Sequence, residues 1–410
     1  MRDKELYRRI LGIEEPWGVA DVELQLERGE VLVHVVNREQ RPPCPECGHP
    51  SPGYDSRARS WRHLDTCQYR TILTVMVPRV RCPEHGVRQV RVPWAEPGSP
   101  FTALYEALII DWLQEASTAA VARLLGLSWK QVDGVMGRAV QRGLARRKRE
   151  LPAHIGVDET SFQKRHEYVT AVCDQDKDIV VHIADGRERE SLDGFYREFT
   201  EEKREAVESV AMDMWGPYIA STEEFIPGAE KKIAFDKFHV AQHLGDAVDK
   251  VRREEHKALK EQGDERLKGS KYLWLQNPDH VSDERWAAFE PLRESSLKTA
   301  RGWAIKEVAM QLWAYRRRGW ARRAWNRWYQ WAIRSQLEPI KEVARMIKRH
   351  LEGILTAIVR RVTNARAEGI NAKIQWIKYT ARGFRNRDRF RNAIYFHLGG
   401  LDLYPAGLSR

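Results

Sequence analysis

Two short turns, Cys44-Pro-Glu-Cys47-Gly48 and Cys82-Pro-Glu-His85-Gly86, constrain the front of this chain more than any other feature. Each sets two sulfur or nitrogen donors close enough to grip one ion, then ends in a glycine that lets the backbone turn back. Together they supply the four tetrahedral ligands that zinc takes at a structural site, so Cys44, Cys47, Cys82 and His85 are expected to hold one Zn²⁺. Unrelated Cys-Pro turns are the bland alternative, and the matched pairs argue against it. Tyr69 to Val77 and Val80 read as hairpin strands carrying the second turn, and Glu30 to Val36 as an earlier strand after a helix over Lys4 to Leu11. The remaining cysteines are Cys67 and Cys173, and so odd and sparse a set does not make a disulfide framework. Cys67 either competes as a ligand or is a spare buried thiol. A lobe this small has little core, so metal should supply much of its folding free energy.

From Phe101 the apolar period becomes helical, through Leu104, Leu108, Ile109, Trp112 and Leu113. A second helix is expected from Ser117 to Leu125, a turn at Gly126-Leu-Ser128, and a third helix from Trp129 to Gln141 stopped by Gly143. Ser128 and Gln131 form a capping box for that third helix. This pattern reads as a helix-turn-helix whose last helix enters a major groove, with Lys130, Gln131, Asp133 and Arg138 reading bases or touching phosphate. An ordinary three-helix core fits the same pattern. The basic run that follows, with Arg146, Arg147 and Lys148, is either a solvated linker or a phosphate track.

The middle of the chain alternates strands and helices. His154 to Asp158 reads as a buried strand ending in acid, Tyr168 to Cys173 as a second strand and Ile179 to Ile183 as a third. Ser191 is expected to cap a helix reaching Glu202. Ala206 to Met212 reads as a fourth strand with Asp213 at its end, and Pro217 opens another helix. Lys231 to Phe235 reads as a fifth strand, closed by Asp236-Lys-Phe-His239. If the first and fourth strands are neighbours, Asp158 and Asp213 come close enough to share a metal. Two like charges that near one another are costly without a cation. His239 either reaches a phosphate, a strand oxygen or a carboxylate, or merely caps a helix.

From Val240 to Arg361 almost everything reads as helix, punctuated at Asn277-Pro278 and Glu290-Pro291. Positions 308 to 337 carry seven arginines, Arg316, Arg317 and Arg322 among them, and no acid. Trp320, Trp325, Trp328 and Trp331 are interleaved there, suited either to stacking on bases or to burying one face of a bundle. Thr363 to Lys378 reads as a capped helix with Ile370, Ile374 and Ile377 on its buried side. Glu368 is nearly the only acid in a basic stretch that includes Arg366, Lys373, Lys378, Arg382 and Arg385. Those five are candidate DNA contacts, and Glu368 is a candidate metal ligand.

The motifs Gly156-Val-Asp-Glu-Thr-Ser161, Met212-Asp-Met-Trp-Gly-Pro-Tyr218, Asp236-Lys-Phe-His239 and Asn364-Ala-Arg-Ala-Glu-Gly-Ile-Asn371, with Gly383-Phe-Arg-Asn386, resemble the DDE transposases of bacterial insertion sequences, ISL3 family. The resemblance covers nearly the whole chain. It implies a mixed α/β fold: a zinc-binding lobe (1–100), a helix-turn-helix domain (101–150) and an RNase-H-like catalytic domain. The last is split into 151–240 and 361–410 by an all-helical insertion (241–360). It implies Asp158, Asp213 and Glu368 as a catalytic triad holding two Mg²⁺ or Mn²⁺, with His239 nearby, for cleavage and strand transfer by two-metal phosphoryl transfer. Many relatives carry a fourth cysteine where this chain has His85. A homodimer on double-stranded DNA, at terminal inverted repeats and at a target, is the implied working form.

The net charge of +11 suits a polyanionic partner. No apolar run reaches the length of a bilayer span, and the first residues lack a hydrophobic signal core, so the expected compartment is the cytoplasm, at the nucleoid when bound to DNA. Two other classes remain open at this level. One is a zinc-finger and helix-turn-helix regulator without chemistry; the other is an RNase-H-fold nuclease without strand transfer.

Overall fold

The computed structural model describes residues 3–163, 167–276, 281–362 and 365–408. The chain forms two compact units, Met1–Lys148 with Tyr395–Arg410, and Arg149–Ile394. Among the described residues no helix is long and apolar enough to cross a membrane.

The first unit starts with helix α1 (Asp3–Ile10) and a five-stranded sheet of β1 (Trp17–Gln25), β2 (Glu30–Asn37), β3 (Gly53–Arg62), β4 (Arg70–Cys82) and β5 (Gly86–Gln89). Its order is β1-β2-β4-β3, with β5 paired to β4. Alternation builds the core: Val31, Val33 and Val35 of β2, and Leu73, Val75 and Val77 of β4, point inward beneath Trp17, Trp61 and Trp94. β1 and β3 were not expected. β3 lies at a sheet edge and is exposed over most of its length, so backbone pairing to β4 holds it rather than an apolar face. The predicted hairpin over Tyr69 to Val80 is one continuous strand, β4, and its turn to β5 carries the second Cys-Pro motif.

Three helices follow. Thr102 caps α2 (Ala103–Glu115), Ser117 caps α3 (Thr118–Leu124), and Ser128 with Gln131 closes both bonds of the expected capping box on α4 (Trp129–Arg146). Gly143 does not stop α4. It is buried inside the helix, where a Cβ would lie 2.7 Å from the Leu401 side chain, so glycine serves close packing there.

The second unit holds another five-stranded sheet: β6 (His154–Gln163), β7 (Glu167–Asp174), β8 (Ile179–Asp185), β9 (Ser209–Met212) and β10 (Ile233–Phe235), in the order β10-β9-β6-β7-β8. β6, β7 and β8 are antiparallel neighbours, whereas β9 and β10 run parallel to β6. Between β8 and β9 lie α5 (Arg189–Arg197) and α6 (Glu201–Glu205); α7 (Gly216–Phe225) and α8 (Ala229–Lys232) precede β10. Ser191 does not cap α5 but bonds the Asp185 carbonyl at 2.8 Å from inside the helix. Ala206 to Glu208 lie outside β9, and Lys231 and Lys232 belong to the helical turn α8 rather than to a strand.

Helices α9 (Lys237–Glu261), α10 (Lys271–Leu275), α11 (Asp283–Arg293), α12 (Lys298–Gln311), α13 (Arg318–Ile333), α14 (Glu338–Arg349) and α15 (Leu351–Arg360) follow. They share one apolar core with the sheet, through Leu244, Trp274, Phe289, Trp325, Trp328 and Ile354. Trp325 and Trp328 are therefore core side chains, the latter donating to the Ile305 carbonyl at 2.8 Å, while Trp320 and Trp331 stay exposed. Pro291 sits inside α11 instead of ending a helix. Asn277-Pro278 and the expected cap Thr363 lie outside the described residues. α16 (Ala365–Thr380) and α17 (Arg387–Leu398) complete the chain, with Ile370 and Ile374 buried on α16 as its period required.

Candidate active site and metal centre

Cys44, Cys47, Cys82 and His85 converge, and their ligand atoms all lie within 4.8 Å of one another. Cys47 Sγ to Cys82 Sγ is 3.7 Å, and Cys82 Sγ to His85 Nδ1 is 3.5 Å. Tetrahedral zinc with bonds of ~2.3 Å to sulfur needs ligand separations of about 3.8 Å, so the spacing fits. Gly48 and Gly86 both take positive φ, 72° and 68°, as the returning backbone demands. The His85 backbone amide, then the His85 ring, pull the Cys82 thiol down to about 6, which favours a metal-binding thiolate. Cys67 is exposed, not buried, and is not one of the four.

A second cluster, of carboxylates, forms at the ends of the parallel strands. The β6–β9 ladder pairs His154 with Ser209, Ile155 with Val210 and Gly156 with Ala211. Carried two residues further, the same register sets Asp158 level with Asp213. β10 pairs Phe235 with Met212, which sets Asp236 level with Asp213 in turn. β9 and β10 end just before their aspartates, whereas β6 does not end in acid but runs on to Gln163 and carries Asp158 midway, at the same level. α16 lies against β6 and brings Glu368: Asn371 Nδ2 donates to Asp158 Oδ2 at 3.1 Å, Gln375 bonds Thr160, and Lys378 Nζ donates to the Ser161 carbonyl at 2.7 Å.

The electrostatics mark these acids as one group. Burial, then the charge of Asp213, pushes Asp158 up to about 7. Burial also raises Glu368, helped by Asp236 and Asp213 and opposed by His239. His239, in the first turn of α9, forms an ion pair with Asp213. Burial would lower its pKa, but the contact and charge of Asp213, with Glu368 and Asp158 beyond, outweigh that and raise it. Glu368 Oε1 is buried without a hydrogen-bond donor, and Asp213 Oδ1 accepts no hydrogen bond beyond its ion-pair contact with His239. Oxygen atoms left in this state, beside repelling carboxylates, are the donor set a divalent cation takes.

Close packing fixes where Glu368 sits. A Cβ on Gly156 would lie 2.5 Å from Cys173 Sγ, 3.0 Å from Gln175 Nε2 and 3.2 Å from Ala367 Cβ. A side chain there would meet the Cys173 thiol of β7 first and would also crowd the start of α16. Gly156→Ala should therefore destabilise the second unit by about 1–3 kcal/mol. Any shift of Ala367 is a few tenths of an ångström, so single-turnover DNA cleavage should fall by well under the roughly 10²-fold that a misplacement of about 1 Å produces. Thermal unfolding beside cleavage rates checks this, and an unchanged zinc content should accompany both.

A family model described as a transposase, the DDE domain of the ISL3 group, matches residues 155–394, the span that holds all of these acids. The chain belongs to the ISL3 transposase family. A model of the helix-turn-helix domain of transposase family ISL3 matches residues 90–140, and one of the zinc-finger of transposase IS204/IS1001/IS1096/IS1165 matches 40–85. The chain is similar to the transposase for insertion sequence element IS1001 of Bordetella parapertussis, 29% identical over 396 residues that cover 95% of this chain and 97% of the relative. It is also similar to the transposase for insertion sequence element IS1557 of Mycobacterium tuberculosis (strain CDC 1551 / Oshkosh), 27% identical over 419 residues that cover 94% and 93%. Membership makes the protein an enzyme that cleaves and transfers DNA strands, with a helix-turn-helix that binds DNA.

For an ISL3 transposase the disposition of its basic residues matters as much as its acids. Lys130, Lys148, Arg316, Arg317, Arg382 and Arg385 are exposed. Others are engaged within the fold. Arg138 is turned inward onto Glu106, an acid only 1% exposed, so it neutralises a buried charge instead of reaching outward from α4. The Gln131 side chain accepts from Ser128 at the helix cap. Arg146 pairs with Asp402 at 2.8 Å, and Arg147 lies over the Tyr395 ring. Arg322 pairs with Glu352, Lys373 with Asp178, and Arg366 with the Gln175 carbonyl.

Three residues at the acid centre escaped the sequence reading. Asp236 follows a buried strand just as Asp213 does, and that shared setting is its signal in the sequence. Asn371 stands three residues after Glu368, on the face that meets β6. Arg187 pairs with Glu159 at 3.4 Å and is held between the rings of Tyr168 and Trp215, at 4.3 and 4.7 Å. Nothing local announces Arg187, because its partners come from three other elements.

Proposed function

We propose that the acid centre is an RNase-H-like active site in which Asp158, Asp213 and Glu368 hold two Mg²⁺ or Mn²⁺ ions. There the enzyme cleaves the terminal inverted repeats of its insertion sequence and joins them to target DNA. The level placement of Asp158 and Asp213 on paired parallel strands, with Glu368 electrostatically coupled to both Asp213 and Asp236, carries this reading. Bound metal would activate the attacking oxygen and stabilise the leaving one. Asn371 and the Glu159 backbone amide orient Asp158 by donating to its two carboxylate oxygens. His239 holds Asp213 in place and, when protonated, presents positive charge to a phosphate. No covalent enzyme intermediate is needed.

In functional terms the chain divides into the zinc lobe (1–100), the helix-turn-helix (101–150), the catalytic fold (151–240 and 361–410) and a helical insertion (241–360). The exposed Lys130, Lys148, Arg316, Arg317, Arg382 and Arg385 are the leading DNA contacts. The enzyme acts as a homodimer on nucleoid DNA in the cytoplasm, because joining two element ends takes two active sites.

The test uses the DNA that flanks the gene. Purified protein with Mg²⁺ should nick duplexes carrying the flanking inverted repeats and join the released 3′ ends to a second duplex. Nicking without joining would favour a plain nuclease, and binding with neither would favour a regulator.

A further inference from the structure

Helix α16 carries more than the acid-centre face. Asn371, Gln375 and Lys378 form the stripe that meets β6. Beside that stripe stand Trp376 and Tyr379, which are 66% and 77% exposed. Among the described residues no other large hydrophobic side chain is as exposed as Tyr379. The two rings stack on each other, with centroids 5.9 Å apart and planes inclined by 29°. Two large rings stacked in solvent are apolar surface kept for something flat.

Charge says what that is. From Ala365 to Asn386 the only acid is Glu368, against Arg366, Lys373, Lys378, Arg382 and Arg385. A polyanion is attracted to such a surface. Inside a duplex the faces of the bases are covered by their neighbours; only unpaired bases offer a face to an aromatic ring. At a rise of 1.5 Å per residue, Trp376 and Tyr379 lie roughly 12 and 16 Å along the helix from Glu368, a span of a few nucleotides.

We propose that the Trp376–Tyr379 pair is a stacking platform for unpaired nucleobases of the DNA strand held at the acid centre. The platform rests on the proposed function, since it takes the acid centre to hold DNA. It gives the enzyme a grip on strand ends that have lost their partner, which intact duplex does not receive.

The probe is a DNA duplex with a short single-stranded extension carrying 2-aminopurine, compared with the fully paired duplex, using the full chain without added Mg²⁺. Wild type should quench the 2-aminopurine on binding. The Trp376→Ala, Tyr379→Ala double variant should lose the quenching and bind the extended probe about tenfold or more weakly. Its affinity for paired duplex should stay within about twofold, since phosphate contacts dominate there. Trp376→Phe with Tyr379→Phe should keep the quenching. Equal weakening on both probes, or none on either, overturns the platform. So does a change in sedimentation with DNA binding intact, which would assign the rings to a contact between copies. Quenching by a wild-type protein that never cleaves DNA would sink the chemistry and leave the platform standing; cleavage without quenching would do the reverse.

Discussion

Replacing Asp158 with alanine should abolish Mg²⁺-dependent cleavage, by about a thousandfold or more, while DNA binding is retained. Metal at a phosphoryl-transfer site contributes several kcal/mol of transition-state stabilisation, and each 1.4 kcal/mol is tenfold in rate. Asp158 lies midway along β6, level with Asp213, so its loss removes one wall of the metal site. The DNA-binding helices lie in the other unit and keep their own core. Retained cleavage in this variant would end the catalytic assignment.

The same carboxylate makes a stability prediction of opposite sign. Its pKa, about 7 in the fold, lies above the ordinary 3.8. Well below pH 3.8 Asp158 is protonated in both folded and unfolded states and is neutral for stability, and at pH 4 the difference is still small. As pH rises, the unfolded chain releases the proton first, and a penalty of roughly 4 kcal/mol builds until pH 7, then stays. Asp158→Asn should therefore raise the metal-free melting temperature at pH 8 but not at pH 4. Mg²⁺ should stabilise wild type and leave the variant unmoved. Melting curves at the two pH values, with and without Mg²⁺, decide it, and an unchanged pH 8 midpoint would contradict the electrostatic account.

Removing zinc is the second large effect. The strands around the two Cys turns carry a modest core, and structural zinc contributes about 10 kcal/mol of folding free energy in small domains. A strong chelator, or Cys82→Ala, should abolish amide-exchange protection along β4 and β5 and release one zinc per chain. The acid-centre unit should remain folded, because its core is separate. His85→Cys should keep the metal, and so should Cys67→Ser, since Cys67 is exposed and outside the cluster. Zinc should also leave in acid, at a pH well below the metal-free Cys82 value of about 6, because bound metal competes with the proton for the thiolate. Full zinc content in Cys82→Ala would refute the site.

Local chemistry was the most legible part of this chain. The Ser128–Gln131 box, the helices of 101–146 and the cores of β2, β4, β6, β7 and β8 follow from short-range rules of capping and alternation. The errors share a cause. β3 lacks an apolar face because it is an edge strand, so alternation could not find it. Gly143 looked like a helix stop, and Arg138 like a groove-reading cation, because Leu401 and Glu106 are distant in sequence. The tryptophans near 325 could equally have met bases or the core, and their burial was settled by helices far along the chain.

By itself, then, the order of residues determined the donors and the motifs: two Cys-Pro turns, three acids in recognisable settings and a capped helix pair. Only the tertiary structure decided who stands beside whom. Strand pairing joins residues 55 positions apart, and no local propensity specifies that β9 should lie between β6 and β10. That sheet order levels Asp158, Asp213 and Asp236, and the bare backbone at Gly156 admits the helix that carries Glu368.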